Sequence, residues 1–581
     1  MKLKYIIGIS ALAGLGLTAC SDQMNYHEYR IQDEDFVKRD FGNVGKITTH
    51  VYRQLDYDLG QMYGGASLCS ATDEAVYSHQ GNQIESYFNG SWSPTNANSA
   101  IWSSCWEGIS YCNLFLDEFN DLTFPDWTID KYYNDNMIKY HNYQWEMRFM
   151  RAYYYFLLVR QYGNVPLITN YLNAEEANNA VQVASDDIFD FIDNECVAIK
   201  DTIISDYYSQ YNTLEAEPGR VNNLGVLALR ARAALYHASP LFSKGKSDAE
   251  KKELWRKAAV YAYDCIRACT TSGMRLAKDY SKLFGWDSYS DGEATKEIIF
   301  ARRNTGDNAF EKRNFPIGMT NAAGGNCPTE NLVSAYETTN GKSIDDPSNT
   351  MYDPQDPYKN RDSRFAATVA INGEKWPDAL PIAGLETWYG GANSRSVTYG
   401  TPTGYYLKKY LNRTVAISGS STSAQYHNWV IFRLGSLYLD YAEAMLNLTG
   451  SGYATEEGLP MSAAEAINKV RTRAGQPDLP TNLDKEAFTK RYENERFVEL
   501  AFEGHRIFDV RRWMKAPEYF EHIKVMEITK NDDGTFSYQT VTDPSYITKR
   551  TWPGDKAYFW PIPQAEVLKS GNLKQNEGWE R

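Results

Sequence analysis

The sequence lacks the short motifs that mark common catalytic sites. It contains no HExxH zinc motif, no GxSxG nucleophile elbow and no Walker A phosphate loop. Its eight histidines are scattered, and no close pair has the spacing of metal ligands. The sequence therefore predicts a protein that is not an enzyme and has no cofactor and no metal site.

An excess of positive charge is also missing. The 581 residues include 60 Lys and Arg against 74 Asp and Glu, which gives a formal net charge of −14. A field of this sign repels polyanions, so nucleic acid is excluded as an expected partner, whereas a neutral ligand is not penalised.

Regular cysteine spacing is absent as well. Seven of the eight cysteines follow residue 20, and no CxxC pattern occurs among them. An odd, irregular set argues against a disulfide framework or a zinc site. Cys265 and Cys269 lie one helical turn apart in an apolar stretch, so we expect them in the core.

The sequence has only one long apolar run, and it stands at the start. Lys2 and Lys4 precede the apolar residues 5–17, a stretch too short to span a bilayer. The run is followed by LTAC ending at Cys20, which looks like a bacterial lipobox, in which the cysteine thiol receives a lipid. An ordinary secretory signal is the alternative. No later segment offers ~18 uninterrupted apolar residues.

Helical periodicity dominates both ends of the chain. Residues 227–236 (LALRARAALY) mix alanine with large apolar side chains, a pattern typical of stacked helix pairs. Helices are predicted over residues 35–56, 100–119, 135–162, 185–200, 220–239, 251–270, 432–448, 463–474 and 485–514.

The middle of the chain has a different composition. Gly, Pro, Asn, Thr and Tyr are concentrated there, which favours loops and short strands over helices. We therefore predict a mainly α fold in which a helical scaffold carries an irregular, loop-rich lobe suited to binding. The predicted divisions are a signal peptide (1–19), a lipid-anchored tether (20–34), an N-terminal helical scaffold (35–303), the ligand-binding lobe (304–429), and C-terminal helices with a docked tail (430–581).

Several segments, in this order, resemble the SusD/RagB family of nutrient-binding outer-membrane lipoproteins. They are 151–167 (RAYYYFLLVRQYGNVPL), 352–365 (YDPQDPYKNRDSRF), 403–409 (TGYYLKK), 441–444 (YAEA), 495–513 (ERFVELAFEGHRIFDVRRW), and 561–563 (PIP) with Glu566 and 575–576 (QN). The resemblance implies four tetratricopeptide-like helix pairs in a right-handed superhelical scaffold. It also implies a partner, a SusC-like TonB-dependent transporter in the outer membrane, and a surface groove for glycans. It supplies no catalytic residues.

Aromatic residues make up 14% of the chain and bear on ligand choice. The C–H face of a sugar lies flat on an aromatic ring, while its hydroxyls need polar partners around the rim. Most of these aromatics are structural, but some stand in polar, glycine-rich loops; the alternative for those is packing within the lobe. The predicted ligand-binding residues are Asp73, Trp92, Asn321, Trp388, Tyr389, Arg395 and Tyr399.

One row of carboxylates invites a catalytic interpretation. Glu495, Glu499 and Glu503 are spaced four residues apart and share one face of a predicted helix. Glycosidases need two carboxyls facing each other across a sugar, which a single row does not provide. Because arginines stand close by, a charge network between helices is the simpler interpretation.

The sequence thus favours a surface-exposed lipoprotein that captures oligosaccharides and delivers them to a TonB-dependent transporter. Three alternatives remain: capture of peptides, which some relatives of the family perform, a lipid-anchored glycoside hydrolase, and a purely structural tetratricopeptide adaptor.

Overall fold

The computed structural model describes residues 34–60, 62–205, 219–285, 287–288, 290–304, 306–420 and 422–580. Cys20, the predicted signal peptide and nearly all of the predicted tether lie outside this range. Within it, no helix is both long and apolar enough to cross a membrane.

The scaffold consists of long helices that pack in chain order. Each contacts the next, first within a pair and then between pairs, so the array grows by addition of helix pairs. The pairs are α2 (Phe41–Arg53) with α3 (Ala100–Glu118), α4 (Tyr133–Tyr162) with α6 (Ser185–Ile199), α7 (Asn223–Ala238) with α8 (Asp248–Thr271), and α12 (Leu434–Thr449) with α13 (Ala463–Arg473). The predicted mainly α scaffold of stacked helix pairs is confirmed.

The local sequence explains where these helices begin and how closely neighbouring helices pack against each other. Ser247 and Glu250 form a capping box at the start of α8, and Ser462 and Glu465 form another at α13. Small residues allow close packing: Gly108 of α3 lies directly against the Tyr154 ring of α4, leaving no room for a Cβ atom.

The remaining α-helices have five to seven residues, except Lys485–Glu499, which has 15. Most belong to connections or to the lobe, where proline, glycine and asparagine limit helix length. They are α1 (Glu34–Lys38), α5 (Ala174–Asn178), α9 (Ala309–Asn314), α10 (Glu330–Ala335), α11 (Ser363–Thr368), α14 (Lys485–Glu499), α15 (Arg506–Arg512), α16 (Ala516–Phe520) and α17 (Gln564–Lys569).

The strands form two-stranded antiparallel sheets. β1 (Ala75–Tyr77) pairs with β3 (Asn326–Pro328), β2 (Ile298–Arg303) with β6 (Asn428–Arg433), β4 (Val369–Ala370) with β5 (Tyr406–Leu407), and β7 (Lys524–Lys530) with β8 (Phe536–Thr542). The first two sheets join distant parts of the chain. The β7–β8 hairpin lies in a region predicted to contain only helices and the tail.

The helix predicted over 485–514 is broken in the middle. α14 ends at Glu499, and the chain turns through Phe502 (φ +60°) and Gly504 (φ +74°) before α15 begins. A Cβ atom on Gly504 would lie 3.2 Å from the Trp429 ring, so the close approach of β6 also favours glycine there. The apolar periodicity continues across the break because both helices face the same core.

The tail lies against the scaffold through backbone hydrogen bonds. Trp560, whose side chain is fully buried, donates its N–H to the Gln161 carbonyl of α4 (2.8 Å). Gln564 donates to the Pro94 carbonyl (2.9 Å) in the loop before α3. The C-terminus therefore covers the surface between these two elements.

Candidate functional site

The loop of residues 386–401 projects from the lobe and has a defined shape. Asn393 braces it from within, because its Oδ1 accepts from the Glu386 backbone N–H (2.9 Å) and its own N–H donates to the Glu386 carbonyl (3.1 Å). Gly400 lies directly against the Ser394 carbonyl, which leaves no space for a Cβ atom. An internally bonded loop presents its outer side chains in fixed positions.

Tyr389 and Arg395 come together on the outside of this loop. The Tyr389 side chain is 62% exposed, and its backbone N–H donates to the Ile528 carbonyl of β7 (2.9 Å). The Arg395 guanidinium lies 4.5 Å from the centre of the Tyr389 ring and 4.1 Å from that of Tyr546. These distances allow cation–π contact with both rings.

Glu527 of β7 completes this cluster. It accepts from Arg395 Nη2 (3.2 Å) and from the Tyr546 hydroxyl (3.1 Å). Burial raises the pKa of Tyr546, and Glu527 adds to the rise against the opposing effect of Arg395, so the hydroxyl stays protonated and donates. Arg395 keeps N–H donors beyond its contact with Glu527, since a guanidinium has five.

Tyr399 forms the second aromatic contact of the loop. Its ring, 49% exposed, stacks on His79 with 3.8 Å between centroids and 6° between planes. His79 in turn stacks on Tyr77 at 5.1 Å, and its Nε2 lies 2.6 Å from the Ala323 carbonyl, so that nitrogen carries the proton. The stack holds the Tyr399 ring with one face available.

Asn321 and Trp388 border this surface in different ways. Asn321 is exposed, has φ +71°, and donates its amide to the Ile417 carbonyl (3.0 Å). It stands two residues before Ala323, the partner of His79. Trp388 is half-buried, with the Lys530 ammonium 5.0 Å from its ring centre. We call the surface formed by Tyr389, Arg395, Tyr399, His79 and Tyr546 the aromatic face.

The prediction for Trp92 needs correction. Its side chain is only 4% exposed and is enclosed by aromatic rings, with centroids at 4.8 Å (Tyr87), 5.2 Å (Trp579) and 5.8 Å (Trp560). Two of these partners belong to the C-terminal tail, which covers the loop. A ring sealed in this way offers no surface to a ligand.

The prediction for Asp73 also needs correction. Its two carboxylate oxygens accept from Arg506 Nε (2.9 Å) and Nη2 (2.7 Å), and both side chains are buried. This paired geometry joins the segment before β1 to α15. Asp73 is a structural residue and is not positioned to bind sugar hydroxyls.

Two members of the aromatic face carry no signal in the sequence. His79 is a single histidine two residues after β1, and Tyr546 comes two residues after Pro544 in a turn that shows no local enrichment in aromatics. Both join the surface through contacts with residues more than 140 positions away, so only the fold brings them into place.

The row of Glu495, Glu499 and Glu503 is part of a buried charge network. Glu499 accepts from Arg364 (2.8 Å), from Arg433 (2.7 Å) and from Arg473. Burial alone would raise the pKa of Glu499, but the three guanidiniums hold it well below its usual range. All three carboxylates are buried, so they are not accessible to a glycosidic bond.

In the part of the chain that the structure describes, no group of three or more His, Cys, Asp or Glu side chains is placed to hold a metal ion. The seven cysteines after Cys20 are all buried and unpaired with one another.

Two family models match the chain. Residues 296–579 match the SusD family, and residues 35–217 match a family described as starch-binding and associating with the outer membrane. The chain belongs to the SusD family. Together the two matches cover the lobe and most of the scaffold of this SusD-family protein, and α7 and α8 lie between them.

Individual relatives agree with this assignment. The starch-binding protein SusD of Bacteroides thetaiotaomicron is 24% identical over 542 residues, which cover 88% of this chain and 84% of that protein. A SusD-like protein from Bacteroides fragilis has a similar structure, with a TM-score of 0.73, 22% identity, and coverage of 94% of this chain and 98% of its own. A SusD-like carbohydrate-binding protein from the same species gives a TM-score of 0.71 at 23% identity, covering 93% and 100%.

Proposed function

We propose that this SusD-family protein binds an oligosaccharide on the aromatic face and delivers it to a SusC-like TonB-dependent transporter. One observation carries the proposal: two widely exposed tyrosine rings stand on a braced, hydrophilic loop, each held in place by a stacked or cationic neighbour. The starch-binding and carbohydrate-binding relatives support the same ligand class.

The chemistry of the face suits a sugar. Tyr389 and Tyr399 offer flat apolar surfaces to pyranose C–H faces, while Arg395 and Asn321 offer donors to hydroxyl groups at the rim. Because the side chains are already held by Glu527, His79 and the loop hydrogen bonds, binding would require little ordering of the protein.

Delivery to a transporter requires the protein to stay at the membrane. The lipobox-like sequence ending at Cys20 supports a lipid anchor, and membership of the SusD family supports the outer membrane and the cell surface as its place. Replacement Cys20→Ala should release the protein from the membrane fraction. The partnership is tested by purifying each protein from cells that express it. We expect a TonB-dependent barrel to co-purify with the wild type and not with Cys20→Ala.

The binding proposal is tested by affinity electrophoresis through gels that contain single polysaccharides. If a sugar face on a ring gains as much as a second aromatic ring does, about 0.5–1.5 kcal/mol beyond buried area, Tyr389→Ala or Tyr399→Ala should weaken retention by about 2- to 12-fold. Tyr171→Ala is a matched control, because Tyr171 is 48% exposed but lies in the loop before α5.

The outcomes separate the alternatives. Retention that falls in both face variants and not in the control supports glycan binding at this site. Equal retention of all variants refutes the site. Peptides that bind at the same face, with no glycan retained, would identify the protein as a peptide-capturing member. Release of reducing sugar by the wild type would revive the hydrolase hypothesis.

A further inference from the structure

A second concave site lies at the junction of scaffold and lobe, separate from the aromatic face. It is a cleft of about 640 Å³. Its walls come from the end of α2 and the residues after it, from the end of β2 and the segment that leads to α9, and from His427 just before β6. Gly219 and Arg220 lie at one edge of the cleft.

Arg302 is a half-buried cation in this cleft whose guanidinium is held by two contacts. Its Nη1 donates to the Leu55 carbonyl, and its guanidinium lies 3.9 Å from the centre of the Tyr57 ring. Among the described residues no carboxylate forms an ion pair with it, and burial lowers the pKa of Arg302. The guanidinium is therefore held in one orientation with N–H donors left over.

Further arginines extend the positive charge along the cleft. Arg53, in the last turn of α2, is exposed, and the described part of the chain gives it no ion-pair partner. Arg303 lies 4.7 Å from the ring of Tyr426, which is 45% exposed. Arg220 forms an ion pair with Glu146 (2.8 Å).

Acidic groups near the cleft are already engaged. Asp307 is the carboxylate on its wall, and one of its oxygens accepts from the Ala309 N–H (3.0 Å) at the start of α9. His427 contacts the buried Glu311 through Nε2 (2.9 Å). Arg53 and Arg302 therefore face one carboxylate in the lining of the cleft, which makes this place locally positive although the whole chain has a net charge of −14.

We propose that this arginine cleft is a second ligand site and that it takes an acidic sugar, with an anionic group of the ligand at Arg302 and Arg53. A carboxylate and a sulfate each present two oxygen atoms that can accept from two N–H groups of one guanidinium. The Tyr57 ring, which lines the cleft beside Arg302, supplies a flat apolar surface of the kind that a pyranose needs. A neutral glycan would gain only hydrogen bonds to its hydroxyls from the arginines, whereas an anionic group gains stronger charge-assisted bonds, so the cleft would favour the charged ligand.

The test compares matched charged and uncharged polymers in the Tyr389→Ala/Tyr399→Ala background, where the aromatic face is disabled. Dextran sulfate is compared with dextran, and polygalacturonate with its methyl ester. The first pair tests sulfate and the second tests carboxylate. We expect retention by at least one charged polymer and by neither uncharged one, with affinity falling as salt rises.

Point variants then assign the binding to the cleft. Arg53→Gln should weaken retention by about tenfold, because it removes one charge-assisted contact. Arg302→Lys keeps the positive charge but loses the paired N–H donors of the guanidinium, so it should weaken binding as well. Arg267→Gln is the control, since Arg267 is exposed on α8, far from the cleft in the packing order. Arg53 is exposed, so its variant remains informative if a change at Arg302 impairs folding.

Three results would overturn the inference: no charged polymer is retained, Arg53→Gln leaves retention unchanged, or Arg267→Gln lowers it equally. Failure of the two proposals is distinguishable. Both sites are supported if the aromatic-face variants lose binding of neutral glycan and keep binding of the charged polymer. If these variants bind neutral glycan as well as the wild type does, only the proposal for the aromatic face is refuted.

Discussion

Replacing Glu499 by glutamine should destabilise the protein strongly although the shape of the side chain is kept. Glu499 is fully buried and accepts from Arg364, Arg433 and Arg473. Removing one partner of a buried ion pair leaves uncompensated charge and costs about 3–5 kcal/mol. Glutamine also adds an N–H₂ group that faces guanidinium donors, so part of the hydrogen bonding is lost too.

The expected change in melting temperature follows from chain size. Unfolding entropy is about 2.1 cal/mol/K per residue near 60 °C, so a cooperative unit of roughly 550 residues has about 1.2 kcal/mol/K. A loss of 3–5 kcal/mol then lowers Tm by about 3–4 °C. Differential scanning calorimetry at pH 7 measures the shift.

Glu486→Gln is the matched control on the same helix. Glu486 is exposed and pairs with Lys490 at 3.0 Å across one turn of α14, an arrangement worth a few tenths of a kcal/mol. The Tm of the Glu486→Gln variant should differ from that of the wild type by less than about 0.5 °C. If Glu499→Gln shifts Tm no more than this control does, the network does not stabilise the fold and the reasoning fails.

The pH dependence has a definite sign. Because the folded pKa of Glu499 lies below its ordinary 4.5, the stability it contributes is present above that value and is lost as the pH falls below it. The difference in Tm between wild type and Glu499→Gln should therefore shrink between pH 5 and pH 3. A difference that grows over this range would contradict the assignment.

Three further predictions concern buried residues near the tail and β1. Trp92→Ala should cost about 3–5 kcal/mol in calorimetry, with polysaccharide retention unchanged at 20 °C; reduced retention with unchanged Tm would restore Trp92 as a ligand contact. Asp73→Asn leaves the buried Arg506 without its anionic partner and should lower stability by a similar amount, again without loss of retention. Burial raises the pKa of Glu74 to about 8, above its ordinary 4.5, so the wild type loses stability as the pH rises from about 5 to 8. Glu74→Gln should flatten that decline in Tm, and parallel declines in both proteins would refute it.

The long helices could be predicted from the sequence because their signal is local. Apolar periodicity and capping residues lie within each segment, as in α8 with its Ser247–Glu250 box. The break between α14 and α15 could not be predicted in this way. It depends on Phe502 with φ +60° and on the approach of Trp429 to Gly504, and Trp429 stands about seventy residues earlier in the chain.

The residues of the candidate site also depend on contacts between distant segments, which the sequence does not show. Trp92 and Tyr389 both stand within two residues of a glycine in polar loops, so the local composition does not distinguish them. The structure separates them because the C-terminal tail, with Trp560 and Trp579, covers Trp92, whereas no described residue covers Tyr389 to that extent. Exposure of a loop residue is decided by distant segments, and a single sequence does not record which segments meet.

The predicted charge network is present, but Glu499 takes its partners from distant elements and not from the arginines near it in sequence, and these partners explain how the aromatic face is supported. The arginines near the glutamate row in sequence bind elsewhere: Arg496 pairs with Asp440 and Asp509, and Arg512 with Glu443. Glu499 instead binds arginines from three other elements, among them Arg364 of α11 in the lobe, which also pairs with Glu495 at 2.6 Å.

This choice of partners connects the lobe to the scaffold at a particular place. From α11 the chain continues through β4 directly into the region that contains Tyr389 and Tyr399. Buried ion pairs tolerate little displacement, because separation exposes charge to a medium of low dielectric constant. The base of the lobe is therefore held rigidly, and the loop above it carries its own hydrogen bonds to β7 and Asn393. A surface supported in this way loses little conformational freedom when a flexible oligosaccharide binds, so weak contacts with a few rings suffice for capture.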